Sequence, residues 1–412
     1  MEKMTRYIFY FYALIMPYGS VNPFNLSALY GVSNANVDQQ GIGSYFFALC
    51  VFMAAIDRKI WPNYRTIIKF FLPLSTLFVA LFISTILYEG YEVPFPYSFF
   101  VKLFVAEVGF CILAIYFIRY PKVMLYSLTI YAYSCVIIVI AYFGGFLDGL
   151  YFVSKGRLWL FGENPNNFSF MMGLGAIILL YNNKRYKSKM FQILNVIVVC
   201  AIFYYMVLSG SRGSFLMCAL AVVILCYKYL LKKIVFVIPV LLILISIGIT
   251  SIEKRQNEVS FVERFEELQE GDDDRTELLW NTWTLYTERP VLGWGRSGYV
   301  VERSLRFHED RDSHNMFMSI IVMSGVIGLL AILLFLYHIG FGCITVSRRN
   351  VFPIIVFFYV FFMSMKTGDV ITFAMMWYCY AIVYAMAIVE IRKNKEIVNT
   401  KASFSTVEEI NQ

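Results

Sequence analysis

The sequence predicts an all-α polytopic membrane protein, and three observations lead there. Hydrophobic residues make up 59% of the 412 and aromatics 18%, while charged residues fall to 15% and the mean hydropathy reaches +0.65. Apolar runs of near-spanning length recur along most of the chain, and lysine and arginine gather in the short connectors between them. A soluble domain uses far more charge, and a bilayer core of about 30 Å calls for roughly 20 apolar residues per helical crossing. Helices are the expected spanning form because each satisfies its own backbone hydrogen bonds; the alternating pattern of a membrane β-barrel does not occur.

The basic connectors set the topology. They are Arg58-Lys59 with Arg65, Arg119 with Lys122, Lys184-Arg185 with Lys187 and Lys189, Lys228 with Lys232-Lys233, Arg348-Arg349, and Arg392-Lys393 with Lys395. Placing all of them on the cytoplasmic side threads twelve spans, at 7–22, 43–56, 67–88, 98–118, 123–145, 167–181, 190–208, 214–227, 234–252, 315–337, 352–365 and 370–390, with both termini inside. The first run has the length of a signal peptide, but no small-residue cleavage site follows and further spans do, so it reads as retained. The polar stretch 394–412 reads as a disordered cytoplasmic tail. The formal charge of +7 is positive-inside anchoring and not a nucleic-acid surface, since no basic patch gathers on one soluble domain. All eight cysteines fall in apolar segments, which argues against a disulfide framework or a thiolate metal site.

One charged island, residues 253–313, interrupts this pattern and lies on the external side of the topology, between spans nine and ten. It holds 15 of the 28 acidic and 9 of the 35 basic residues, a balance of −6. Residues 263–270 have helix-forming composition, Gly271-Asp272-Asp273-Asp274 reads as a break with capping character, and residues 276–286 resume an amphipathic helix carrying Leu278, Leu279, Trp280 and Trp283. Arg289-Pro290 ends that helix, and Gly293, Gly295 and Gly298 punctuate a loop. The island is expected to form a helical subdomain on the external membrane surface. The domains that follow are 1–252 with nine spans, the 253–313 subdomain, 314–393 with three spans, and the 394–412 tail.

Three polar clusters sit at the external amino ends of spans six, eight and ten: Glu163-Asn164-Pro165-Asn166-Asn167, Ser209-Gly210-Ser211-Arg212-Gly213-Ser214, and Ser313-His314-Asn315. Free backbone N–H groups and the helix dipole make such ends receptive to anions. Simple capping accounts for the same residue types. Arg212, held between two glycines, can offer forked donors to a phosphate while the small residues admit a ligand to the backbone. At a helix amino end the dipole disfavours imidazolium, so His314 is suited to act as a base, with Asp312 and Asn315 able to orient it; an interfacial anchor is the alternative reading. His308 and His338 do not repeat the placement, and no metal-ligand spacing arises.

His314-Asn315, nine residues, Gly325, two residues, Gly328 resembles a pattern of the O-antigen ligase and polymerase superfamily of bacterial envelope glycosyltransferases. The Ser-Gly-Ser-Arg-Gly run at 209–213 is similar to a second motif of that group. Arg275, then Trp280, then Arg289-Pro290-Val291-Leu292-Gly293-Trp294-Gly295 resembles the arginine and proline-glycine run of the family's large periplasmic loop, and Asn164-Pro165-Asn166 is common there too.

The resemblance implies a GT-C-like enzyme of the bacterial inner membrane. Its donor is a glycan on undecaprenyl diphosphate, met at the periplasmic face, with no cofactor and no metal. It further implies Arg212, Arg275 and His314 as catalytic residues, the arginines stabilising the leaving diphosphate and the histidine receiving or orienting the acceptor proton. Ser211, Gly213, Asn164, Asn166, Asn315, Arg289, Arg296 and Trp280 are candidate substrate contacts, with packing the expected role for at least one of Trp280, Trp283 and Trp294. A repeat-unit polymerase, with a chain-length regulator and a flippase as candidate partners, is favoured over a ligase acting on lipid A-core by the aromatic, Ile-rich composition and the wording of the second motif. A lipid-linked oligosaccharide flippase is a different reading, for which Lys102 and Glu107 inside span four are the ionisable candidates; a non-catalytic scaffold explains the spans but not the external arginines and histidine.

Overall fold

The computed structural model describes residues 2–18, 42–88, 94–148, 150–154, 157–161, 164–183, 186–227, 274–309, 311–366 and 370–410. In chain order the elements are α1 (Glu2–Ile15), α2 (Ile42–Ile56), α3 (Ile68–Ile86), α4 (Tyr97–Arg119), α5 (Pro121–Phe143), β1 (Tyr151–Ser154), β2 (Arg157–Leu160), α6 (Pro165–Asn183) and α7 (Lys189–Leu208). They continue with α8 (Arg212–Tyr227), α9 (Asp274–Glu288), α10 (Gly295–Phe307), α11 (Met316–Val346), α12 (Phe352–Ser364) and α13 (Ala374–Ile410). By length and composition, α3, α4, α5, α7, α11 and the Ala374–Ile397 part of α13 can cross a membrane, six helices among the described residues. The apolar helices α8, α12 and Gly43–Ile56 of α2 are shorter. The expected span at 234–252 and the expected helix at 263–270 lie outside the described residues.

Burial follows the composition. Side chains such as Leu72 (69% exposed), Met190 (79%) and Leu330 (61%) face outward from long apolar helices, the arrangement that lipid and not water would favour. Inside, α3 packs along α11 and α4 along α13, with Phe70, Phe110, Phe335, Trp377 and Tyr384 meeting edge-on or tilted. Buried tyrosines find backbone acceptors: the Tyr131 hydroxyl donates to the Met171 carbonyl at 2.6 Å and the Tyr359 hydroxyl to the Phe170 carbonyl at 3.0 Å. All eight cysteines are free thiols.

The structure departs from expectation in three places. An antiparallel hairpin, β1 with β2, interrupts the all-α pattern, pairing Tyr151 with Leu160 and Ser154 with Arg157. The loop expected after Arg289-Pro290 re-forms as α10, with Gly298 inside the helix: a Cβ there would stand 2.8 Å from the Tyr88 ring, so close packing against that ring explains the glycine. The expected tail continues α13 to Ile410; residues 391–397 are mostly good helix formers, and extending an existing helix costs little once it has nucleated.

The most unusual packing joins the stretch between α9 and α10 to α11. That helix breaks at Gly325 (φ 64, ψ −164), and the stretch 290–294 fills the break. The Val326 amide donates to the Pro290 carbonyl at 2.9 Å and the Trp294 amide to the Val322 carbonyl at 2.8 Å, so backbone groups released by the kink are satisfied inside the protein. A Cβ at Gly325 would lie 2.0 Å from the Val291 carbonyl oxygen, and one at Gly293 2.6 Å from that of Val322. The spacing of Gly325 behind His314 is therefore an architectural requirement. Gly325→Ala is expected to lose about 1–3 kcal/mol from backbone conformation alone, with the overlap adding to it; a thermal melt in detergent that matched wild type would contradict this account.

Candidate functional site

The end of the bundle that carries α9 and α10 gathers the residues of interest. α3 ends there, with the Thr85 hydroxyl accepting from the Arg296 amide at 2.9 Å, and α4 begins there, with the Arg296 guanidinium 5.1 Å from the Phe99 ring centroid. Phe317, in the first turn of α11, lies 5.6 Å from Phe361 near the end of α12. Just past α12, Lys366 lays its stem over Gly213, where a Cβ would sit 3.5 Å from the lysine Cγ. The end of α12 thus separates the start of α11, which follows His314, from the start of α8, which opens on Arg212.

At the start of α8, Ser211 and Ser214 are buried and their hydroxyls lie 2.9 Å apart. Gly210 takes a left-handed turn (φ +63), a conformation natural to glycine. The neighbouring Asn cluster is drawn in beside it. Asn164 caps α6, its Oδ1 accepting from the Asn166 amide at 2.9 Å with Pro165 as the first helical residue, and the Asn166 carbonyl accepts from the Ser214 hydroxyl at 3.4 Å. Arg157, at the start of β2, spans the two clusters: its Nε donates to the Ser209 carbonyl at 3.1 Å and its guanidinium to Asn166 Oδ1 at 2.7 Å. Sequence reasoning missed both Arg157 and Lys366. The apolar, alternating residues around Lys155-Gly156 carry a short hairpin signal that could have found the first.

His314 is half-buried and held at φ 51, a backbone region that non-glycine residues rarely occupy. Asn315 caps α11, its Oδ1 accepting from the Phe317 and Met318 amides at 3.0 and 3.2 Å. The carboxylate of Asp312 accepts from the Tyr299 hydroxyl at 2.9 Å, the Ser313 amide at 2.8 Å and the Ser319 hydroxyl at 3.1 Å, and Arg303 approaches it at 3.6 Å. Asp312, expected as an orienter of the imidazole, also anchors the turn that carries His314. Burial, and then the Asp312 carboxylate, pushes the Tyr299 phenol above its ordinary value, so it stays a hydrogen-bond donor. With Arg303 only 8% and Asp312 10% exposed in their side chains, Asp312→Asn is expected to cost about 1–3 kcal/mol; a denaturant melt checks it. His308 instead ends α10, its amide donating to the Ser304 carbonyl at 3.1 Å.

The remaining candidates are distributed differently. Arg275 falls in the first turn of α9, and its side chain lies outside the described residues. Arg289 stacks on Trp294 at 4.2 Å, and Arg306 approaches the same ring at 5.3 Å while pairing with Glu288 and Glu302. Trp294 is buried, its indole N–H donating to the Leu285 carbonyl at 2.7 Å, so it packs; Trp280 (68% exposed) and Trp283 (43%) remain at the surface. Glu107 lies about 12 Å along α4 from Phe99, 5% exposed, with Oε1 lacking a hydrogen-bond partner among the described residues.

The chain is mostly helical, six of its described helices are long and apolar enough to cross a membrane, and Arg212 and His314 stand at the starts of α8 and α11. Residues 196–333 match the family described as O-antigen ligase, a stretch that includes both Arg212 and His314 and supports placing the chain in the O-antigen ligase and polymerase superfamily. Members of this family are membrane glycosyltransferase-like enzymes of the bacterial envelope. No curated protein matches the chain.

Proposed function

We propose that the protein is an O-antigen polymerase of the bacterial inner membrane that works at the periplasmic face, with both termini in the cytoplasm. The observation that supports the chemistry shared by polymerases and ligases is the family match across 196–333, combined with a fold in which the helix starts at Arg212 and His314 flank the end of α12; the preference for a polymerase rests on the composition and the wording of the 209–213 motif. In the reaction, a hydroxyl of one lipid-linked repeat unit attacks the anomeric carbon of the growing glycan on undecaprenyl diphosphate. The new C–O bond forms as the bond to the diphosphate breaks, the hydroxyl proton passes to His314, and undecaprenyl diphosphate leaves. Charge builds on the leaving group, where Arg212 and Arg275 stabilise it. Ser211, Gly213 and Asn166 are taken as substrate contacts around the start of α8, with Asn164 and Asn315 as helix caps. Arg296, Arg289 and Trp280 lie on the glycan side.

A ligase shares this chemistry and differs in its acceptor, lipid A-core. The lipopolysaccharide of a deletion strain separates the two: core capped by one repeat unit indicates a polymerase, and bare core indicates a ligase. A normal ladder in that strain would remove both readings.

A further inference from the structure

Resting on the diphosphate-leaving reading above, we propose that Arg157 is a positioning residue of the site, and that the β1–β2 hairpin exists to deliver it. The hairpin is the only sheet among the described residues, and Arg157 opens its second strand. From there the side chain reaches two elements far away in sequence. Its Nε bonds the Ser209 carbonyl, in the turn between α7 and α8, and its guanidinium bonds Asn166, in the first turn of α6. The stem also fits the turn itself: a Cβ at Gly210 would stand 3.2 Å from Arg157 Cγ and 3.5 Å from Nε, so the glycine leaves the room that the arginine occupies. On the far side, the Ser214 hydroxyl bonds the Asn166 carbonyl. Asn166 is therefore gripped by its side chain from the hairpin and by its backbone from α8.

The consequence falls on Arg212, three positions beyond Ser209. Its direction of departure depends on the turn that Arg157 holds. A planar guanidinium can bond a carbonyl and an amide oxygen in two directions at once, which the point charge of a lysine ammonium cannot reproduce. A displacement of about 1 Å in a positioned catalytic group can cost about a hundredfold in rate.

Two measurements on the full-length protein in detergent test this. The first is a double-mutant cycle of melting temperature with Arg157→Ala, Asn166→Ala and the pair. The second is glycan transfer from an undecaprenyl-diphosphate-linked repeat unit by Arg157→Ala and Arg157→Lys. The expected result is non-additive melting shifts, together with a fall of about tenfold or more in kcat for both Arg157 variants. Additive shifts would overturn the clamp. Full transfer by Arg157→Lys would show that charge alone matters and would overturn the positioning role, as would non-additive shifts with unchanged transfer by both variants. If wild type itself transferred nothing to a second repeat unit or to added lipid A-core, the polymerase and ligase readings would fall, while the melting cycle would still decide whether Arg157 clamps Asn166.

Discussion

Replacing His314 with alanine is expected to reduce glycan transfer about a thousandfold, the loss typical of removing a general base. The residue occupies a left-handed backbone position, so alanine removes the imidazole and adds backbone strain together. His314→Asn separates these effects, because asparagine tolerates positive φ well. If the ring takes the acceptor proton, both variants lose transfer to a similar degree, while only the asparagine variant keeps a melting temperature close to wild type. Recovery of most of the activity by asparagine would mean that the turn, and not the imidazole, is what the reaction needs. Deletion strains complemented with each variant, with protein levels checked by blot, give the same comparison in cells.

Arg212→Ala is the second large effect, expected at about 100- to 1,000-fold in kcat, the range seen when one preorganised donor to a developing negative charge is removed. Arg212→Lys should recover only part of it, since a forked guanidinium matches phosphate oxygens in a way that an ammonium does not. The measurement is initial rate against concentration of the lipid-linked donor. A pure rise in KM with unchanged kcat would assign Arg212 to ground-state binding, and a rate equal to wild type would take it out of the site. Lys366 makes an informative companion because its stem lies over Gly213.

These residues also show where sequence reasoning works and where it stops. The helix that appears as α9 was legible because Leu278, Trp280 and Trp283 follow helical spacing after an aspartate-rich break and before Arg289-Pro290. The cap at Asn315 was legible for similar reasons, as local chemistry that only one geometry satisfies. By contrast, α10 was hidden by Gly295 and Gly298, which look like loop residues until their tight neighbours are known: a Cβ at Gly295 would stand 2.3 Å from the Thr85 backbone. Adjacency to His314 marked Asp312 in the sequence, but its bonds to Tyr299 and Ser319 arise from tertiary packing that no local pattern announces. For Arg157 the sequence offers only the hairpin pattern around Lys155-Gly156, because its partners, Asn166 and Ser209, meet only through tertiary packing.

The strand of backbone lodged in the α11 break also bears on how the chain is built. Trp294 and Val322 are near neighbours in sequence, so this union can form as soon as α11 emerges, whereas the bond from the Ser84 hydroxyl to the Leu292 carbonyl bridges 208 positions. Short closures are entropically cheap and fast. The half of the site around His314 can therefore mature as a local unit during synthesis and then dock on helices that entered the bilayer much earlier. A lesion in this seam, such as a side chain at Gly325, would be felt first as a failure of biogenesis, with protein lost to quality control before any enzyme is there to assay.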